Sequence, residues 1–246
     1  MKIKSATRVN PLARKIKSHV TALKLGLESP MRTLVRHCSK IENLVLLDIG
    51  ANVGQFTVDI KNLGFQHSII SYEPIPELFR KLERNSKKFK NWEVRNIGIG
   101  SKNGNFEINV SDSGGKSSSF LNMKDIHLMN FPGTGFIDRV VVPVSTIPAE
   151  INNLGLIPSQ LVLKIDVQGF EGEVLKGSRE ILSEIPFCYI ELSLHSLYEG
   201  EPEILEILNL LANHGQKLFD IGRGVSSKSG DLLQVDILTC NEKTKL

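Results

Sequence analysis

The sequence has few cysteines and lacks any long apolar run. Its three cysteines, Cys38, Cys188 and Cys240, are far apart and odd in number. This distribution excludes a disulfide framework and offers no ligand spacing typical of zinc, so we predict no metal site. No apolar run approaches the length of a membrane-spanning helix, and no signal-peptide core follows the basic start. These absences predict a soluble, cytoplasmic protein.

Charge is distributed unevenly along the chain. The net charge is +3, but residues 1–40 contain ten Lys or Arg and a single acidic residue, Glu28, so they carry about +9 and the remainder about −6. We therefore divide the chain into a basic N-terminal arm, residues 1–40, and a globular domain, residues 41–246.

The arm has an apolar stripe at helical spacing, which predicts an amphipathic helix. Its basic side chains lie off that stripe. The favoured interpretation is a helix that docks on the domain with its basic face in water. Contact with an anionic membrane surface and a dimer contact are the alternatives. The stripe consists of Leu12, Ile16, Val20, Leu23 and Leu27.

After residue 43, short apolar runs alternate with helical patterns, which is typical of an α/β fold with a parallel sheet. The last two runs are joined by a short Gly/Ser connection, so we predict an antiparallel pair there. Residues 111–136 form a long Gly/Ser-rich segment that we interpret as a lid over the site, against the alternative of a solvated loop. The predicted strands include "LVLLDIG" (44–50), "SIISYEP" (68–74), "WEVRNIGIG" (92–100), "LVLKID" (161–166) and "FCYIELSL" (187–194).

The first strand ends in the pattern D-x-G-x-N-x-G, residues 48–54. A P-loop needs a Lys after its glycines, and a dinucleotide site needs a second glycine where Asn52 stands, so neither fits. Gly50 and Gly54 allow a tight turn into a helix whose N-terminus attracts negative charge. Asp48 adds a negative charge nearby. The pattern therefore suits a ligand with both a carboxylate and an ammonium group.

Two further acids follow strands of the predicted sheet. Glu73 lies 23 residues after Gly50, where an acid accepts hydrogen bonds from a ribose diol. Asp166 ends a central strand, and ligands of open α/β sheets lie over such carboxyl ends. An amino acid joined to a ribose describes S-adenosylmethionine, with its adenine expected near Asn96. The predicted cofactor-binding residues are Asp48, Gly50, Asn52, Gly54, Glu73, Asn96 and Asp166.

Several motifs together resemble the FkbM family of S-adenosylmethionine-dependent methyltransferases over about residues 43–195. They are "LLDIGANVGQF", "YEPIPELFRKLERN", "RNIGIGSKNG", "SSSF", "LVLKIDVQGFEGEVLKGS" and "YIELSLH". The resemblance implies a Rossmann-like sheet of seven strands, mostly parallel with the last antiparallel, and helices on both faces. It also implies O-methylation of sugar or polyketide hydroxyls. Carried over by position, it places the turn of residues 48–54 at the methionine end, Glu73 at the ribose and Asn96 at the adenine.

Two positions depart from the family pattern. Gln168 stands where the family commonly has Glu, so no general-base role is assigned there. Pro148 stands where the family often has Asp, which affects the acceptor side.

The acceptor is predicted from the chemistry of methyl transfer. No [DN]-P-P-[YF] loop is present and Cys188 lies inside an apolar strand, which argues against nucleic-acid bases. An alcohol oxygen must lose its proton as it attacks, and His195 is the first candidate for the base, with Asp166 and Glu191 as alternatives. His195 is equally interpretable as a surface histidine. Within the 111–136 segment, Ser118, Ser119 and His127 are predicted to contact the acceptor.

The main hypothesis is therefore an O-methyltransferase acting on a glycan or a related polyhydroxylated molecule. A non-catalytic module that binds S-adenosylmethionine and acts through a partner is the alternative. An NAD-dependent reductase is disfavoured because Asn52 replaces the glycine that a pyrophosphate requires.

Overall fold

The computed structural model describes residues 29–112, 114–227 and 229–245. The predicted apolar stripe of the arm lies outside these residues. In chain order the helices and strands are α1 (Pro30–Cys38), β1 (Val45–Ile49), α2 (Gln55–Asn62), β2 (Ser68–Tyr72), α3 (Pro76–Ser86), β3 (Trp92–Arg95), β4 (Gly98–Ile99), β5 (Gly104–Ser111), α4 (Asp125–Asn130), β6 (Phe136–Ser145), α5 (Ile147–Leu154), β7 (Leu161–Ile165), α6 (Glu171–Gly177), β8 (Phe187–Ser193), α7 (Ile204–Asn213), β9 (Gln216–Arg223) and β10 (Gln234–Asn241).

Within the described residues, the main sheet has seven strands in the order β3-β2-β1-β7-β8-β10-β9. The first five strands in this order, β3, β2, β1, β7 and β8, are parallel to one another, whereas β10 runs antiparallel to both of its neighbours. The order reverses between β1 and β7, where parallel α/β sheets bind their ligands. This topology confirms the predicted fold class and the predicted antiparallel pair at the end of the chain.

A smaller sheet in the described chain has three strands in the order β4-β6-β5. It corrects the prediction of one strand over residues 92–100. The chain leaves the main sheet after Arg95, and Gly98–Ile99 pairs instead with Val144 and Ser145 of β6. The segment between β5 and β6 contains α4 and is therefore partly ordered by its own helix.

The central strands are apolar because helices cover both faces of the sheet. One buried cluster contains Leu47, Leu163 and Ile190. The other, on the opposite face, contains Leu46 and Val162. These side chains alternate along adjacent strands, which explains why the strands appear in the sequence as continuous apolar runs rather than as alternating patterns.

Helix α1 belongs to the domain although it lies within the predicted arm. Leu34 and Cys38 are completely buried against the second cluster. Thr33 donates a hydrogen bond from Oγ1 to Oδ2 of Asp220 on β9 at 2.6 Å. The side chain of Ser29 caps the helix N-terminus. No helix in the described part of the chain is long and apolar enough to span a bilayer.

Candidate active site

A cavity of about 500 Å³ opens at the carboxyl edge of the main sheet. Its walls come from the turns that follow β1, β2 and β7, together with the segment between β5 and β6. A volume of this size is typical of small-molecule and cofactor sites. The cavity therefore lies where the strand-end acids and glycines of the sequence predicted a ligand.

The turn after β1 requires glycine at two positions. Gly50 has φ +78°, and a Cβ there would lie 1.8 Å from the backbone oxygen of Asp166. Gly54 has φ +91° and begins α2, and a Cβ there would lie 2.5 Å from the Trp92 ring. Both residues adopt the left-handed conformation that glycine tolerates best. The turn is thus packed directly against the strand end that carries Asp166.

The carboxylate of Glu73 lies against this turn. Its two oxygens accept backbone N–H groups from Asn52 and Ile75, each at 2.9 Å. Burial raises the pKa of Glu73 to about 8, although those two N–H groups oppose the shift. A carboxylate has about four lone-pair positions, so both oxygens can still accept hydroxyl donors from the cavity. Glu73 therefore fits the predicted ribose contact.

Lys164 is a residue of the site that the sequence reasoning missed. It lies on the central strand β7, directly beside Asp48 of β1. Its Nζ is 3.1 Å from Oδ1 of Asp48 and 3.6 Å from Oδ2 of Asp166, and it donates to the Gly50 carbonyl at 3.0 Å. Burial lowers the pKa of Lys164, but the two carboxylates outweigh burial and raise it, so the ammonium stays charged.

The signal that could have identified Lys164 is a single cation inside the apolar run "LVLKI". A lysine buried on a central strand needs a partner, and Asp48 is the acid at the same level of the neighbouring strand.

Beside the turn after β1, four polar side chains form one hydrogen-bonded group. Gln168 donates from Nε2 to Oδ1 of Asp166 at 2.8 Å and to Oε2 of Glu191 at 3.1 Å. Gln234 donates to the same Glu191 oxygen at 2.9 Å. Burial raises the pKa of Glu191, and the nearby carboxylates of Asp166 and Asp236 raise it further.

This group is connected to the segment between β5 and β6 through Tyr198. The Tyr198 hydroxyl donates to Oε1 of Gln168 at 3.0 Å and lies 3.2 Å from Nε2 of His127. Both aromatic side chains are buried, and burial lowers the pKa of His127, which keeps the imidazole neutral. Tyr198 and Gln234 carry no motif, and only the tertiary structure reveals them.

Most of the predicted site residues meet at this cavity. Those that line it come from five separate segments of the chain and from both the cofactor and the acceptor predictions. They are Gly50, Asn52, Glu73, Ser118, His127, Asp166 and Glu191.

Among the described residues, three predicted cofactor contacts lie outside the cavity lining. Asp48 is fully buried beneath the turn, where Thr57 and Ser71 donate to its Oδ2, both at 2.9 Å. Gly54 supports the start of α2. Asn96 donates its amide to the carbonyls of Glu73 and Pro74 at 2.8 and 3.0 Å. These residues support the walls of the cavity.

Two predicted acceptor-side residues are also placed elsewhere among the described residues. His195 is exposed and is not part of the cavity lining. The turn after β8 places His195 at the protein surface, so its role as the base stays a prediction that the cavity geometry does not support. Ser119 is buried, and its hydroxyl donates to the backbone oxygen of Gln168 at 2.6 Å. This hydrogen bond therefore connects the segment between β5 and β6 to the turn after β7.

The buried acid Glu171, near the site, is expected to make the stability of the fold depend on pH. Burial raises the pKa of Glu171 from its ordinary 4.5 to about 8. Between these values the unfolded chain loses a proton that the folded chain keeps, so the free energy of unfolding falls as pH rises from about 4.5 to about 8. Because Gln can still accept the Val167 N–H that Glu171 accepts at 2.9 Å, we expect Glu171→Gln to reduce this loss.

The measurement is thermal unfolding of both proteins between pH 5 and pH 8. We expect the melting temperature of Glu171→Gln, relative to wild type, to rise steadily across this range. The exposed residue Glu206 provides the matched control, Glu206→Gln, for which the difference is expected to stay constant. A constant difference for Glu171→Gln as well would contradict the assignment.

The donors and acceptors around the cavity fit S-adenosylmethionine. The first turn of α2, with Gln55 and Phe56 in the cavity lining, presents N–H groups that have no partner within the helix, and Glu73 supplies a carboxyl group at the end of β2. An amino acid carboxylate is suited to the first, and a ribose diol to the second.

Comparison with known proteins identifies the family. The family model described as "Methyltransferase FkbM domain" matches residues 48–218. The chain is 26% identical over 218 residues to 2-O-methyltransferase NoeI of Sinorhizobium fredii, covering 85% of this chain and 88% of that protein. It is also 26% identical to hexuronic acid methyltransferase AglP of Haloferax volcanii over 153 residues, or 61% of this chain and 56% of AglP.

Among solved structures, magnesium protoporphyrin IX methyltransferase ChlM from Synechocystis, with bound S-adenosylmethionine, superposes with a TM-score of 0.48 at 8% identity. The superposition covers 97% of this chain and 87% of that one. The family match spans most of the chain and contains the turn after β1, Glu73, Asp166, Gln168 and Glu191. The chain therefore belongs to the FkbM methyltransferase family, and it is an enzyme that uses S-adenosylmethionine as its methyl donor.

Proposed function

We propose that the protein transfers a methyl group from S-adenosylmethionine to a hydroxyl group of a sugar or a related polyhydroxylated molecule. The observation that carries this proposal is the pair of acids, Asp166 and Glu191, in the wall of the cavity beside the turn after β1. Carboxylates of this kind accept hydrogen bonds from hydroxyl groups and take up their protons. The names of NoeI and AglP, a 2-O-methyltransferase and a hexuronic acid methyltransferase, support the same acceptor class.

S-adenosylmethionine supplies an activated methyl group on a sulfonium, so the protein's task is alignment and removal of a proton. The turn of residues 50–52 and Glu73 hold the methyl donor. Asp166 accepts the proton of the attacking hydroxyl. The segment between β5 and β6 lines the cavity through Ser118, Phe120 and His127 and excludes water from it.

Asp166 is better placed for this role than the other two candidates. Its side chain is 33% exposed, so an acceptor can reach it, and Lys164 lies 3.6 Å from its Oδ2. Glu191 is more deeply buried, and its pKa is raised by burial and by neighbouring acids, which favours its protonated form. His195 faces solvent.

We also propose that the enzyme acts in the cytoplasm and that the basic arm allows contact with an anionic membrane surface. All three cysteines are free and buried, as suits a reducing compartment. The arm has the charge and the apolar spacing of a helix that lies on such a surface. Co-sedimentation with anionic and neutral vesicles, with and without residues 1–28, tests the second proposal.

The experiment that tests the cofactor site is calorimetric titration with S-adenosylmethionine. We expect micromolar affinity for wild type and a loss of about 10-fold to 100-fold for Glu73→Ala, because the hydrogen bonds of this carboxyl group to the ribose are removed. Glu77→Ala is the matched control, since Glu77 is exposed on the neighbouring helix α3. NADH is expected not to bind.

The same samples then supply the test of the acceptor. Wild type is incubated with S-adenosylmethionine and a panel of methyl glycosides, and S-adenosylhomocysteine is measured. Formation of a methyl ether on a glycoside supports the proposal. Binding of S-adenosylmethionine without methylation of any glycoside would reject the sugar acceptor. Transfer to a nitrogen or carbon acceptor would instead identify a different acceptor class.

A further inference from the structure

Asp166 and Glu191, in the cavity wall beside the turn after β1, are held as a pair by a single amide. Gln168 uses Nε2 to donate to Asp166 at 2.8 Å and to Glu191 at 3.1 Å. An amide nitrogen has two hydrogens, so both are used, while its oxygen accepts from Tyr198 at 3.0 Å. Gln168 is therefore fully engaged in positioning, and it fixes the separation of the two acids.

This arrangement leaves one oxygen of each acid available to a ligand. The hydrogen bonds from Gln168 and Gln234 both go to Oε2 of Glu191, and Oε1 accepts none from the described residues. The Oδ1 of Asp166 accepts from Gln168, whereas Oδ2 lies 3.6 Å from the Lys164 ammonium. Both acids line the cavity. Two oxygen atoms on adjacent strands thus remain for one small molecule.

The two acids have different electrostatic surroundings. The Lys164 ammonium lies 3.6 Å from Oδ2 of Asp166 and is its counter-ion. Burial and the Asp166 carboxylate raise the pKa of Glu191, since neighbouring acids resist double ionisation. The pair therefore combines an acid whose protonated form is favoured, Glu191, with the proposed proton acceptor, Asp166, beside an ammonium group.

We propose that Asp166 and Glu191 bind two neighbouring oxygens of the acceptor, so that the enzyme requires a vicinal diol and methylates one of its two hydroxyls. The inference rests on the proposed function and narrows its substrate class. The attacking oxygen forms a bond to the methyl carbon as the carbon–sulfur bond breaks, and its proton passes to Asp166 and later to water. Glu191 stays hydrogen-bonded to the second oxygen.

Gln168 is a positioning residue in this scheme, because its polar atoms are used by its neighbours. A glutamate at this position would place three acids next to one another, with no amide hydrogens to join them. The carboxyl groups would then repel each other and separate. The Gln168 amide therefore suits an acceptor site in which a protein side chain holds the two acids close together.

The test compares glycosides that lack single hydroxyls. Once the panel has identified a methylated glycoside, its monodeoxy analogues are assayed with wild type. We expect removal of the hydroxyl adjacent to the methylated position to lower kcat/KM about a hundredfold, mainly through KM, because a site that hydrogen-bonds a hydroxyl rejects the analogue that lacks it. Removal of a distant hydroxyl is expected to change kcat/KM less than about threefold.

The role of Gln168 is tested with the same pair of substrates. We expect Gln168→Ala to reduce the preference for the diol over its adjacent deoxy analogue to less than about tenfold, because the two acids lose their common donor. Gln66→Ala, at an exposed glutamine, is the matched control and should keep the wild-type preference. Thermal unfolding of each variant verifies that it is folded.

Three results would overturn the inference. Equal use of the parent and the adjacent deoxy analogue by wild type would show that no diol is needed, while the proposed function stands. Full discrimination by folded Gln168→Ala would show that the amide does not position the pair. Failure of wild type to methylate any glycoside, despite binding S-adenosylmethionine, would reject the proposed function and this inference with it.

Discussion

Replacement of Asp166 by asparagine is expected to lower the single-turnover rate of methyl transfer by a factor of about 10² to 10⁴, the usual contribution of a positioned base. Asparagine has the same shape but cannot take up the hydroxyl proton. The affinity for S-adenosylmethionine, measured by calorimetry, should change little, because Glu73 and the turn after β1 remain intact. The rate should therefore fall without a matching loss of cofactor binding.

Two further variants make this result specific. His195→Ala is expected to keep most of the wild-type rate, because His195 is exposed and outside the cavity lining. Asp59→Asn, at an exposed acid on α2, controls for the loss of one negative charge. A normal rate for Asp166→Asn combined with a large loss for His195→Ala would restore the histidine as the base and refute the assignment made from the structure.

Replacement of Lys164 by methionine is expected to destabilise the fold by about 3–5 kcal/mol, which is typical when one partner of a buried ion pair is removed. Asp48 is fully buried, so its carboxylate would be left without the ammonium 3.1 Å away. For a chain of this length such a loss lowers the melting temperature by about 10 °C. Because Lys164 also donates to the Gly50 carbonyl, affinity for S-adenosylmethionine should fall as well.

The double variant Lys164→Met/Asp48→Asn separates the ion pair from simple packing. Asparagine removes the buried charge but can still accept from the hydroxyls of Thr57 and Ser71, so part of the lost stability should return. Lys176→Met, at an exposed lysine on α6, is the matched control and should melt near the wild-type temperature. Equal melting temperatures for the single and double variants would show that the charge of Asp48 does not cause the loss.

The positions of the glycine turn and of Glu73 were predictable because they depend on the local sequence. Gly50 and Gly54 are required by a backbone that turns sharply between a strand and a helix, and such a turn is visible in a short stretch of sequence. Glu73 was found at the end of the next strand, where the strand pattern itself predicts its position. Both lie where the sequence placed them, against the cavity at the carboxyl edge of the sheet.

The partners of those residues were not predictable in the same way. Asp48 was expected to face the ligand, but it is bound to Lys164, which lies 116 positions later in the chain and beside it on the neighbouring strand. Asn96 was expected at the adenine, but its amide holds the carbonyls of Glu73 and Pro74. In each case the polar side chain could bind either a ligand or another part of the protein. Only the position of the neighbouring strand or loop decides between these two partners.

The sequence by itself determined the alternating α/β pattern, the turn after β1, the acids at the strand ends and the resemblance to the FkbM family. These follow from periodicity and from residues close together in the chain. The tertiary structure alone decided which acids share the cavity, that Gln168, Gln234 and Tyr198 join the acceptor side into one hydrogen-bonded group, and that His195 lies outside it. The physical reason is that hydrogen bonds and ion pairs depend on distances of about 3 Å between atoms, and such distances between remote segments arise only when the strands are paired.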